Sequence, residues 1–86
     1  MKTYKFYSDP GHGWLAVKIK ELVDLGIVDK ISSYSYMRGQ TAYLEEDCDA
    51  GLFFVAYEKK HGIRPQIEEK FQEHTPIRSY ARFSTI

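Results

Sequence analysis

The chain has 86 residues, 43% of them hydrophobic and 28% charged, and its twelve basic side chains cancel its twelve acidic ones. A domain this short buries only about 60–65% of the surface its unfolded chain exposes, so its core is thin and excludes a large internal cofactor cavity. Ordinary globular composition excludes disorder, and zero net charge excludes a global field that would draw the whole molecule to nucleic acid or an anionic membrane.

Thr3 to Ser8 places Tyr4 and Phe6 on one side and Thr3, Lys5 and Tyr7 on the other, which predicts a strand. Asp9-Pro10-Gly11-His12-Gly13 then reads as a loop, because two glycines and a proline in five residues punctuate the chain. A second strand is expected over 13–17 and a helix over 18–25, with Gly26 as its C-terminal cap and Ile27 packing back behind it. Ile31 to Met37 alternates Ser and Tyr, placing Tyr34 and Tyr36 on one face, and Arg38-Gly39 turns it into the strand Thr41 to Glu45.

Asp47 or Asp49 is placed to N-cap a helix through about Lys60, whose apolar stripe is Leu52, Phe53, Ala56 and Tyr57 and whose stop is Gly62. Pro65 to Gln72 leans to a strand, although Ile67 and Phe71, four apart, also suit a short helix. Ile77 to Phe83 alternates Ile77, Ser79, Ala81 and Phe83 against Arg78, Tyr80 and Arg82, predicting an edge strand or ordered tail with a basic face. The expected fold is a single α+β domain over residues 1–86, with two helices packed on a mostly antiparallel sheet of four to six strands. A thin core with an edge strand is also compatible with a homodimer.

Cys48 is the one cysteine, which excludes an internal disulfide and fits a reducing compartment. No apolar run approaches a membrane span, and Met1-Lys2-Thr3 leads straight into the first strand, so a cytosolic location is expected.

Three groups of residues invite chemistry. Glu45, Glu46, Asp47 and Asp49 could hold a divalent cation, yet acids crowded at a strand-to-helix junction are expected to diverge, and helix capping or an acidic recognition patch explains them better. His12, beside Asp9 and between two glycines, would be accessible for metal binding or hydrolysis, but His61 and His74 lie far along the chain and no metal-ligand spacing appears. No metal, cofactor or catalytic residue is therefore assigned. Tyr34, Tyr36, Arg38 and Tyr43 on the hairpin, with Arg78, Tyr80 and Arg82 on the basic face, form a Tyr/Arg set of the kind enriched in protein hot spots. The same set could stack single-stranded nucleic acid, against which the balanced charge counts.

The stretches Phe6-Tyr7-Ser8-Asp9-Pro10-Gly11-His12-Gly13-Trp14, Tyr34-Ser35-Tyr36-Met37-Arg38-Gly39, Tyr43 to Ala50 and Ile77-Arg78-Ser79-Tyr80 resemble a family of small proteins encoded by tailed phages and prophages. That family carries no assigned activity. The resemblance implies a setting, the cytoplasm of a bacterial host. By analogy with anti-CRISPR proteins, it implies an inhibitor that binds a host defence protein or effector complex.

Overall fold

The computed structural model describes residues 2–85. Two strands, β1 (Thr3–Ser8) and β2 (Gly13–Lys18), lead into helix α1 (Ile19–Asp24). A short hairpin of β3 (Tyr36–Arg38) and β4 (Thr41–Glu45) then precedes helix α2 (Ala50–His61). Strands β5 (Gln66–Phe71) and β6 (Ala81–Arg82) complete a six-stranded sheet in the order β5-β1-β2-β4-β3-β6. Among the described residues only the β1–β5 pairing is parallel, so the fold is α+β with a mixed, mostly antiparallel sheet. No helix among the described residues is long and apolar enough to cross a membrane.

The turns follow from local chemistry. Gly26 takes a positive φ after α1, and the amides of Gly26 and Ile27 donate to the carbonyls of Val23 and Leu22, the paired bonds of a Schellman stop with Ile27 buried behind it. Gly39 has φ 60° at the first central position of the β3–β4 turn, as a two-residue hairpin loop requires. Gly62 ends α2 in the left-handed region, its amide donating to the Glu58 carbonyl at 2.8 Å.

Strand alternation divides the sheet into two faces. Tyr4, Leu15, Val17, Ala42 and Leu44 point to the helices and form one core with Leu22, Phe53 and Tyr57. Tyr4 anchors it, with its ring edge-on to Phe53 and Tyr57 at 5.1 and 5.9 Å and its hydroxyl donating to Glu21 Oε1 at 2.7 Å. The residues between them, including Tyr7, Trp14, Tyr43, Tyr36 and Arg38, emerge on the face without helices.

The structure corrects three local expectations. Residues 31–37 are not one strand: a 3-10 turn occupies Val28–Lys30, Ser33 to Ser35 form a turn, and only the last two residues of that span enter β3. Tyr34 therefore does not share a strand face with Tyr36. The cause is Asp49, whose carboxylate accepts from the Ser32 amide, the Ser32 hydroxyl at 2.7 Å and the Ser35 hydroxyl. For the same reason Asp49, although it sits at the N-cap position of α2, makes no side-chain capping bond. Residues 77–83 are likewise not a continuous strand, because Pro76 opens a 3-10 turn through Ser79 and buries Ile77, leaving Ala81 and Arg82 alone as β6. The expected alternation fails there, since Ile77 and Phe83 are buried while Ser79 and Ala81 are exposed.

Candidate functional site

The helix-free face of the sheet gathers aromatic rings with arginines laid on them. Register sets this up: Tyr7 pairs with Trp14, Trp14 with Glu45, Tyr36 with Tyr43, and Tyr36 with Arg82, all same-face neighbours. Tyr43 lies between Tyr7 at 6.3 Å and Tyr80 at 5.1 Å, and Trp14 meets Tyr36 edge-on at 6.2 Å. Three guanidinium groups cover three of these rings: Arg38 over Tyr80 at 5.2 Å, Arg78 over Trp14 at 5.1 Å and Arg82 over Tyr36 at 5.2 Å. Each such contact is worth about 0.5–1 kcal/mol at an exposed site. Burial, then the neighbouring Tyr80 and Tyr7 hydroxyls, push the Tyr43 phenol up, and Arg38 pulls it part of the way back.

The segment 75–80 laps over this face and is tied down through Arg78. Its Nε and Nη2 donate to the two oxygens of Asp9 at 2.7 and 2.9 Å. The Arg78 guanidinium, then the amides of His12 and Gly11, hold the Asp9 carboxyl well below the usual carboxylate range against the opposing effect of burial. Asp9 also organises its own loop, accepting from Gly11 and His12 through Oδ1 while its amide donates to the His12 carbonyl. Gly13 is required where the loop re-enters the sheet, since a Cβ there would lie 2.3 Å from Phe6 Cζ.

That loop brings His12 against the acidic run. His12 Nδ1 stands 3.4 Å from Glu45 Oε2, and donor atoms of His12, Glu45 and Asp47 all lie within 4.8 Å of one another. The expectation that the 45–49 acids diverge is thus corrected for two of them: Glu45 and Asp47 converge on a histidine brought from another loop. Glu45 is buried, its Oε1 accepting from the amides of Asp47 and Cys48 at 2.8 and 3.0 Å. Asp49 is turned inward to Ser32 and Ser35, and Glu46 is exposed, so the run does not present four free carboxylates. Burial, then a hydrogen bond to Glu45 and the surrounding acids, raise the Cys48 thiol above its ordinary value.

His12, Trp14, Tyr34, Tyr36, Glu45, Asp47, Cys48, Arg78 and Arg82 line one open depression of about 360 Å³. A larger one of about 690 Å³ beside α1 is walled mainly by Lys2, Lys18, Lys20, Glu21 and Asp24 and brings together no such set. The smaller depression is the better candidate because chemistry-bearing groups from four separated parts of the chain converge there. All of the Tyr/Arg residues singled out in the sequence reach this face or its rim, Tyr34 from the turn before β3. Trp14 and Tyr7 are on this face too, although the sequence did not single them out as binding residues. Their signal was the two-residue period, since Leu15 and Val17 on the core side leave Trp14, Ala16 and Lys18 on the other.

No family model, curated protein or solved structure matches the chain.

Proposed function

We propose that this is a binding protein without catalytic chemistry of its own, which docks a partner protein through the aromatic and arginine face of its sheet. In the setting that the phage resemblance implies, the partner is a host defence protein or effector complex in the bacterial cytoplasm, and docking inhibits it. The observation that carries the reading is the stacking of Arg38, Arg78 and Arg82 on Tyr80, Trp14 and Tyr36. Tyr, Trp and Arg dominate protein hot spots, and side chains already stacked lose less conformational freedom on binding. Arg38 and Arg82 are exposed at the rim, so the matching surface is acidic.

The test compares wild type with an Arg38→Glu/Arg82→Glu double variant and with Lys20→Glu/Lys59→Glu on the helices. The captured host protein is purified and titrated against each. Charge reversal on the sheet face weakens the complex by at least about tenfold, some 1.4 kcal/mol, and abolishes protection of an infecting phage in a defended host. Equal affinity in both variants would overturn the reading.

A second reading, single-stranded nucleic acid, is favoured by Tyr34, 64% exposed beside Tyr36 and Arg82. Against it, guanidinium groups already occupy the rings of Trp14, Tyr36 and Tyr80. It predicts oligonucleotide binding at low salt that falls steeply as salt rises, and absence of any low-salt binding eliminates it.

A further inference from the structure

We propose that His12, Glu45 and Asp47 form a site for one divalent transition-metal ion of the zinc class. Donors around a four-coordinate zinc at about 2.0–2.1 Å stand roughly 3.3 Å apart. His12 Nδ1 and Glu45 Oε2, at 3.4 Å, already have that spacing. Asp47 has a carboxylate oxygen within 4.8 Å of both and is exposed, so a side-chain rotation brings it in.

Two features separate this group from an ordinary acidic cluster. Glu45 is a buried carboxylate whose one ion-pair partner among the described residues is the imidazole of His12, where a fixed cation would be expected. Its Oε1 is held by two backbone amides, which orients Oε2 toward His12 as outer-shell bonds orient a metal ligand. Independently, the indole Nε1 of Trp14 is buried without a hydrogen-bond partner among the described residues, and Trp14 lines the same depression. The Trp14 ring stands 6.1 Å from that of His12, close enough for a metal-bound water or anion to give the indole N–H a partner.

The donor set selects the ion. One imidazole nitrogen with two carboxylates suits zinc or its first-row neighbours, whereas calcium wants six to eight oxygens and magnesium keeps most of its water. Of the two guanidinium groups on this depression, Arg78 is neutralised by Asp9, and Arg82 is engaged by the Ser33 carbonyl and the Tyr36 ring. Three protein donors leave a coordination position for water or a partner's side chain. The site is independent of which partner the sheet face docks.

The experiment is calorimetric titration of the full chain, first treated with chelator, with zinc chloride and separately with magnesium chloride, alongside Trp14 fluorescence. Zinc binds one per chain and shifts the emission, and magnesium at the same concentration does neither. His12→Ala and Asp47→Asn, both at exposed positions, each weaken zinc by at least about tenfold, while a His61→Ala/His74→Ala control binds as wild type does. Absence of a saturable single site, unchanged affinity in His12→Ala, loss of binding in the His61/His74 control, or equal binding of magnesium would each overturn the proposal.

Discussion

The hydroxyl of Ser35 joins two elements by donating to Asp49 Oδ2 at the start of α2 while accepting the backbone amide of Glu45 at 2.9 Å. Ser35 is fully buried, and its carbonyl accepts the Phe83 amide at 2.8 Å, so β4, α2 and the C-terminal segment meet at one serine. Removing the acceptor in Asp49→Ala strands the Ser32 amide and two hydroxyls, which costs about 3 kcal/mol. For a chain of this size, that lowers the melting temperature by roughly 12–24 °C. Thermal denaturation followed by circular dichroism checks it, and a drop of under about 3 °C contradicts it.

Tyr4 and Glu21 make a pH-dependent contact. Burial opposes the Glu21 charge, but hydrogen bonds from Lys2 and Tyr4 outweigh it and leave the carboxyl below its ordinary value. A carboxyl depressed in the folded state contributes stability that is present above its unfolded pKa and lost as pH falls through the folded one. Tyr4→Phe removes one of the bonds responsible, costing about 1.5 kcal/mol at pH 7. The difference between wild type and variant narrows as the pH is taken below about 4. Denaturant titrations at pH 7 and at acid pH give the comparison. A constant difference would mean that the phenol acts through packing alone.

Gly13→Ala tests the close approach of loop and sheet. The added methyl meets the tip of the Phe6 ring, a half-buried side chain packed against the main core. Overpacking of this kind destabilises by about 1–3 kcal/mol. Pairing the change with Phe6→Leu recovers part of the loss, and a double variant no more stable than Gly13→Ala would show that the backbone, not the ring, sets the constraint.

Trp14 is the one tryptophan in the chain and reports on the candidate site without interference. Arg78 covers its ring, and the residue is 2% exposed. Arg78→Ala uncovers the ring, shifts its emission to longer wavelength and increases quenching by acrylamide. Arg38→Ala, which uncovers Tyr80 instead, leaves Trp14 emission unchanged.

The parts of this fold that were legible in the sequence are those decided within a few residues. The alternation in Thr3–Ser8, the stop at Gly26 and Ile27, the turn at Gly39 and the end of α2 at Gly62 all depend on local backbone chemistry, and the structure has them where the pattern places them. The misreadings occur where a distant residue outbids local pattern. Ser32 to Ser35 alternate like a strand until Asp49, seventeen residues beyond Ser32, bends them into a turn. The parallel pairing of β5 with β1 is equally remote from local signals. The site divides along the same line. Its tyrosines and arginines stand out by type, whereas the meeting of His12 with Glu45 depends on the register of β2 against β4, which only the assembled sheet determines.

The Asp9–Arg78 pair spans 69 positions of sequence. At about 5–20 residues per second, a ribosome needs on the order of ten seconds to travel that distance. During that interval Asp9 and its loop are already made, yet the guanidinium that covers Trp14 does not exist. The helix side of the sheet waits for Phe83 just as the opposite face waits for Arg78 and Arg82. A chain stopped short of Arg78 therefore lacks both the guanidinium over Trp14 and the Phe83 ring of the core, so the last-made segment closes the sheet on its two sides at once.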